Sequence, residues 1–305
     1  MEMMTYSTGD IKVSRIGLGC MRMASLSASD AQSVIESCID NGINFFDHAD
    51  IYGEGKSEEV FSKALSLTSF QRENLVIQSK LGIRQGYYDF SKEHIIQSVE
   101  GILSRLELDY LDILLLHRPD ALMESQEVAE AFDALHLSGK VRNFGVSNHN
   151  PYQIELLKKD VKQKLIINQL QFGPAHTLMI DEGINVNTKF DGAIQRGGDI
   201  LNYCRLNDVT IQPWSPFQVD LNQGLFMNHP DYKNLTATIE NMSEKYQVSF
   251  EAVVIAWILR HPAKMQPIVG SMNPERIKHI SQATSFSLTR QEWYDIYRSA
   301  GNAII

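Results

Sequence analysis

Cysteine is sparse in this chain, with three in 305 residues. Cys20, Cys38 and Cys204 are odd in number and widely spaced, and they form no C-x-x-C pair. That pattern argues against a disulfide framework and against a thiolate zinc site. Cations are also in deficit: 28 Lys and Arg stand against 37 Asp and Glu, for a net charge of −9. Phosphate-backbone binding relies on clustered Lys and Arg, so no nucleic-acid partner is expected. No apolar run approaches the roughly 20 residues needed to span a bilayer, so no membrane partner is expected either. The opening Met1-Glu2-Met3-Met4-Thr5 lacks the basic-then-apolar order of a secretory leader, which leaves the cytoplasm as the expected setting. No H-E-x-x-H occurs, and His117, His136 and His149 share no ligand spacing, so no metal site is expected. No linker or low-complexity stretch divides the sequence. A single domain over 1–305 follows, since α/β barrels often exceed about 250 residues as one unit.

What the chain does have is alternation. Short β-branched or apolar runs at 16–20, 44–47, 75–79, 113–116, 143–146, 165–169, 209–214 and 266–269 are separated by helical patterns. Ser29 with Gln32 has capping-box spacing for a first helix over 30–41, and Ser91 can cap a helix running to Leu106. Asn150-Pro151 and Asn273-Pro274 supply N-cap and N1 pairs, and Thr289 with Glu292 can box a terminal helix. The run Ile113-Leu114-Leu115-Leu116 is apolar throughout, as a parallel strand covered on both faces should be. Eight strand-helix units predict an α/β fold with a parallel sheet. A (β/α)₈ barrel is favoured over a doubly wound sheet because no G-x-G-x-x-G follows the first strand. Gly53-Glu54-Gly55-Lys56-Ser57 fits neither that spacing nor a P-loop and reads as a turn. The polar, Gly-rich stretch from Gly173 to Gly198 reads as a long loop on the rim.

In a parallel barrel, chemistry collects at strand C-termini. Asp47 ends the second strand and Tyr52 follows five residues on. Lys80 follows the third strand and His117 the fourth. Each has an ordinary alternative: a loop cap, a loop aromatic, a solvated lysine, a hydrogen-bonded structural histidine. Together they form a set suited to acid catalysis. A phenol near pKa 10 is a weak acid, and an adjacent ammonium favours its ionised form. Lys80 can supply that ammonium and Asp47 can hold it charged. Tyr52 can then protonate a carbonyl oxygen that His117 orients, without a metal. A Schiff base on Lys80 is the covalent alternative.

Three segments carry a family likeness. Asp47-His48-Ala49-Asp50-Ile51-Tyr52-Gly53 matches D-x-A-x-x-Y-G. Asp112-Ile113-Leu114-Leu115-Leu116-His117-Arg118-Pro119 matches a fourth-strand signature, and Gly139-Lys140-Val141-Arg142-Asn143-Phe144-Gly145-Val146-Ser147-Asn148 matches G-K-V-R-x-x-G-V-S-N. With these in order, the sequence resembles the aldo-keto reductase family over nearly its whole length, nearest in texture to bacterial members without assigned substrates. The resemblance implies a catalytic set of Asp47, Tyr52, Lys80 and His117, and an NADP(H) extended across the rim, with NAD(H) as the alternative. It implies that Ser147, Asn148 and Gln169 bond the nicotinamide amide and that Trp214 stacks on the ring. Gly19, Met21, Asp47, Ser215, Phe217 and Leu225 would complete the cofactor path. Gly270, Ser271, Asn273 and Arg276 would meet the adenosine phosphate, aided by a helix N-terminus.

Departures from the family pattern bear on specificity. Gly270 stands where many relatives carry Lys, and His279-Ile280 replaces an adenine-closing Glu-Asn pair, so preference for NADP rests largely on Arg276. Arg118 replaces an apolar or aromatic residue after the histidine and can either face the pocket, favouring a polar or anionic substrate, or form a rim salt bridge. Met21, Tyr87 and Tyr88 are further pocket candidates. The expected partner is a small aldehyde or ketone, with the protein a monomer or weak oligomer. A cofactor-binding regulatory module and a lyase or metal-dependent barrel are the alternatives from other classes.

Overall fold

Eight parallel strands hydrogen-bond in a ring, described by a computed structural model of residues 1–9, 11–220 and 222–304. In chain order they are β1 (Gly17–Gly19), β2 (Phe45–Asp47), β3 (Val76–Leu81), β4 (Leu111–Leu116), β5 (Val141–Ser147), β6 (Leu165–Gln171), β7 (Thr210–Trp214) and β8 (Ile268–Val269). β8 closes on β1 through the pairs Ile268–Gly17 and Val269–Leu18. Every residue of β3 and β4 is buried, because helices cover the outside while alternate side chains fill the lumen. The fold is therefore the expected (β/α)₈ barrel. β3 extends past the expected Ser79 to Leu81, so Lys80 is a strand residue rather than the residue after a strand.

Glycine is required where strands crowd. A Cβ on Gly145 would lie 2.7 Å from Leu115 Cδ2 and 2.8 Å from the Ile167 carbonyl oxygen, so only glycine lets β5 sit between β4 and β6. The outer helices begin with side-chain caps. Asn150 with Gln153 and Thr289 with Glu292 both form complete capping boxes, and Ser91 and Asn273 cap as expected. The first helix differs. It spans Ala28–Asp40, and Ser27 rather than Ser29 accepts from the Asp30 amide.

Two features escaped the sequence pattern. Met3–Thr5 and Lys12–Ser14 form an antiparallel hairpin, whose Tyr6 and Val13 pack with Phe45, Ile113, Ile167 and Ile268 to plug the N-terminal end of the barrel. The stretch from Gly173 to Gly198 is not a plain loop: it contains a helix at Leu178–Ile184 and a short 3₁₀ turn at Asp191–Ala193. Tyr297 Oη donates to Asp181 Oδ1 at 2.8 Å, and the Glu182 carboxylate accepts from the Arg196 and Asp199 amides at 3.3 and 2.8 Å. Contacts distant in sequence thus hold a segment whose own residues favour a loop. No helix among the described residues is long and apolar enough to cross a membrane, and none of the described residues form a cluster of three or more potential metal ligands.

Candidate active site

The C-terminal rim brings Asp47, Tyr52, Lys80 and His117 together. Parallel pairing fixes β2 between β1 and β3 and puts Gly19 directly beside Asp47. Lys80 is fully buried and its Nζ donates to Asp47 Oδ1 and Oδ2 at 2.7 and 2.8 Å and to the His48 carbonyl at 2.7 Å. Burial alone would discharge this amine, but Asp47 and Tyr52 outweigh it and hold the Lys80 pKa above the ordinary lysine value. The ammonium lies 5.0 Å from the centre of the Tyr52 ring. Tyr52 in turn meets His117 edge-on, with ring centres 6.1 Å apart.

One electrostatic expectation is corrected. Lys80 does pull the Tyr52 phenol toward ionisation, yet burial is the larger effect and Asp47 opposes ionisation too, so the net shift is upward. Tyr52 is therefore protonated near neutrality, which is the form a proton donor needs. Burial and the nearby charges of Lys80 and Arg118 push His117 well below the usual histidine value, leaving a neutral imidazole. His48, adjacent to Asp47, is also buried and neutral, held down to about 3 by burial and by Lys80. Both of its ring nitrogens lack hydrogen-bond partners among the described residues, and the ring packs edge-on against Phe61.

Beneath Asp47 runs a set of buried amides, of which the sequence pointed only to Gln169, and that for a different role. Gln78 Nε2 donates to Asp47 Oδ1 at 2.7 Å and to Gln212 Oε1 at 2.9 Å. Gln169 Nε2 reaches the same two acceptors, each at 3.1 Å. Gln212 Nε2 then donates to Gln266 Oε1 at 2.9 Å, and Gln266 Nε2 to the Ser14 carbonyl at 2.7 Å. Tyr6 of the plugging hairpin donates to Gln266 Oε1 as well. A continuous chain of hydrogen bonds therefore links the Asp47 carboxylate to the bottom of the barrel. A signal was available: Gln78, Gln212 and Gln266 are amides within or beside otherwise apolar strand runs, where an unpaired polar group is costly.

The residues expected to hold a nicotinamide amide also converge. Ser147 Oγ donates to the Gln169 carbonyl at 3.0 Å, and Asn148 Nδ2 donates to Ser147 Oγ at 2.8 Å. Asn148 is left-handed, with φ 61°, a conformation asparagine tolerates better than most residues. Its Oδ1 accepts from Trp214 Nε1 at 3.2 Å, which fixes the indole at the end of β7. Because Gln169 commits its amide nitrogen to Asp47 and Gln212, only its Oε1 remains for an outside donor. The next residue, Ser215, is also left-handed at φ 49°, turning the chain into the loop that carries Phe217 and Leu225. Phe217 packs against the core, while Leu225 is exposed.

The adenosine-phosphate candidates are more open. A Cβ on Gly270 would meet nothing within 4 Å, leaving room beside the backbone. Asn273 caps the helix Pro274–Ser281, and Ser271 Oγ accepts from the Asn273 amide. Arg276, 55% exposed, bonds Glu251 at 3.2 Å. A cleft of about 600 Å³ opens in front of Trp214, lined by Arg118, Asn148, Gln171, His176, Arg196 and Asp220 among others. The expected pocket residues Met21, Tyr87 and Tyr88 do not line it. Met21 stands exposed in the 3₁₀ turn Cys20–Ser25, and Tyr87 and Tyr88 lie exposed on a small hairpin where Arg84 covers Tyr87.

Comparison with known proteins bears on this arrangement. The sequence profile described as Aldo/keto reductase family matches residues 15–300. The chain is 37% identical over 302 residues to the uncharacterized oxidoreductase YcsN of Bacillus subtilis, covering 94% of each protein. It is 34% identical over 303 residues to a 6-dehydroglucose reductase of Agrobacterium fabrum, covering 95% of each. Its fold is similar to a crystal structure of an aldo-keto reductase from Klebsiella pneumoniae in complex with NADPH, at TM-score 0.77 and 24% identity, covering 99% of this chain and 96% of that one.

Proposed function

The chain belongs to the aldo/keto reductase family, and from that premise we propose that it reduces the carbonyl of a small aldehyde or ketone with NADPH, Tyr52 acting as the proton donor. The buried Asp47–Lys80 pair beside the Tyr52 ring carries this reading. A reduced nicotinamide supplies hydride when bound. The residues present suit such a group: the free Gln169 Oε1 offers a carboxamide an acceptor, and Asn148 Nδ2, whose second hydrogen is held only by the His117 carbonyl at 3.4 Å, offers it a donor. Ser147 Oγ fixes the Asn148 amide, and the fixed Trp214 indole offers the carboxamide a face. Gly19, Met21, Ser215, Phe217 and Leu225 follow the rim toward Gly270, Ser271, Asn273 and Arg276, with Arg276 the main group favouring NADP over NAD.

The acid chemistry then falls to the chain's own side chains. Tyr52 keeps its proton until negative charge develops on the carbonyl oxygen. As that charge grows, the phenolic proton moves to it, and the Lys80 ammonium stabilises the phenolate left behind. Asp47 keeps Lys80 charged, while the amides of Gln78 and Gln169 hold the carboxylate in place. His117, being neutral, can offer a ring N–H to the same carbonyl oxygen without competing as an acid. A cytoplasmic setting accords with three unpaired, buried thiols.

The name of the Agrobacterium relative makes polyhydroxy aldehydes the first compounds to try. The test is a panel of sugar-derived, aliphatic and aromatic aldehydes and ketones, each incubated with NADPH or NADH and followed by cofactor absorbance. Carbonyl-dependent oxidation, faster with NADPH, is the expected result. No oxidation with either cofactor across the panel would contradict the proposal.

A further inference from the structure

The charges around the cleft in front of Trp214 do not follow the rest of the molecule. Elsewhere, the buried or partly buried Arg15, Arg72 and Arg105 each have a carboxylate within 3.1 Å, and Arg260 donates to the Leu288 carbonyl instead. Arg118 is half-buried on the rim and has no carboxylate partner among the described residues. Its guanidinium lies over the Trp214 ring, 5.6 Å from the centre, and is near enough to His117 to depress that imidazole's pKa. A guanidinium that faces an open cleft, with an aromatic face behind it and no carboxylate partner, points to an anion that arrives later.

A second guanidinium supports this. Arg196 lines the same cleft from the segment between β6 and β7, where the Glu182 carboxylate fixes its backbone amide. The one acid on the lining, Asp220, is held by its own turn, accepting from the amides of Asn222 and Gln223 at 2.7 Å each. His176 is kept neutral mainly by burial. The cleft therefore presents net positive charge on a protein whose overall charge is −9, a local field that would draw an anion to this wall.

We propose that Arg118, assisted by Arg196, makes this a site for an anionic carbonyl substrate, an aldehyde or ketone that also carries a carboxylate or phosphate. Arg118 is then the residue that determines specificity: it neighbours His117 in the chain, so it holds the anionic group while the carbonyl faces Tyr52. The inference rests on the hydride-transfer reading above and narrows it.

Two matched pairs test it: succinic semialdehyde against butanal, and glyceraldehyde 3-phosphate against glyceraldehyde. With wild-type protein and NADPH, kcat/KM should favour the charged member of at least one pair by about tenfold or more, as expected for hydrogen bonds to a charged group. The pair that shows it identifies carboxylate or phosphate as the recognised group. Added salt should shrink the preference. Arg118→Met should erase it mainly through KM, Arg118→Lys should retain part of it, and Arg196→Met should reduce it less. Equal turnover of both members by the wild type overturns the inference and leaves carbonyl reduction standing. Equal losses on both members in Arg118→Met would also overturn it, since Arg118 would then act only by supporting Trp214. Failure to reduce any of the four compounds would count against the parent reading as well.

Discussion

At one end of the proposed cofactor path, Asp47 and Lys80 have side chains 3% and 0% exposed and are joined by two hydrogen bonds, with Lys80 also held by the His48 carbonyl and Asp47 by a ladder of amides. At the other end, Arg276 is 55% exposed and has Glu251 as its ion-pair partner. The contrast separates two ways of building a site. The buried end is organised before anything binds, because a charge there must be matched within the protein. The open end can wait for its ligand, because water already satisfies its groups. Removing one member of a buried pair typically costs about 3–5 kcal/mol, whereas exposed pairs contribute about 0–1 kcal/mol.

Substitutions can break or sharpen this contrast. Lys80→Met should have the largest effect, lowering kcat by about a hundredfold or more and depressing Tm sharply, because Asp47 is left buried without its counter-charge. A thermal melt matching wild type would remove the claim that the pair is structurally coupled. Gln78→Leu should be intermediate. It deletes one amide from Asp47 while Gln169 keeps its own, so kcat should fall by about tenfold with little change in KM; a KM effect alone would show that Gln78 does not position the carboxylate. Arg276→Ala should leave Tm nearly unchanged and weaken NADPH by about tenfold more than NADH. Equal losses would show that Arg276 does not read the 2′-phosphate.

The smallest effect concerns Asp50, just above the buried pair. Burial, reinforced by Glu58, raises its carboxyl to about 7, against about 3.9 in an unfolded chain. Between those values the folded state holds a proton that the unfolded state has released, so stability falls as pH rises through this window. Asp50→Asn should flatten that slope, and Tm measured at pH 5 and pH 8 would show it. An unchanged slope would mean that Asp50 is not the responsible group.

How much was readable in advance follows the same division. Asp47, Tyr52, Lys80 and His117 were legible because a parallel barrel sends strand ends to one rim, and motif spacing then names the residues. The caps at Asn150, Asn273 and Thr289 were legible because capping is a local hydrogen bond. Ser27 and Ser29 compete within Ser27-Ala28-Ser29-Asp30, and two residues of offset decide which amide is reached. The glutamine ladder was legible only in part: its amides stand out in apolar strand runs, but which strand residues point into the lumen depends on barrel stagger rather than on local pattern. The hairpin of Met3–Thr5 and Lys12–Ser14 has strands of three residues, too short to show periodicity. The Leu178–Ile184 helix is anchored through Tyr297, more than a hundred residues away, a contact no local window contains. Tyr87 looked like a pocket residue by position, but its hairpin turns it onto Arg84.

The central claim is that Tyr52 gives the proton while Lys80 stands beside it, and single-turnover reduction by Tyr52→Phe tests this most directly. With NADPH prebound and a reactive aldehyde in excess, the variant should bind cofactor with near wild-type affinity, because the hydroxyl acts only as charge develops on the carbonyl. It should show no rapid phase of NADPH oxidation. A rapid phase of wild-type rate in that variant would remove Tyr52 from the chemistry.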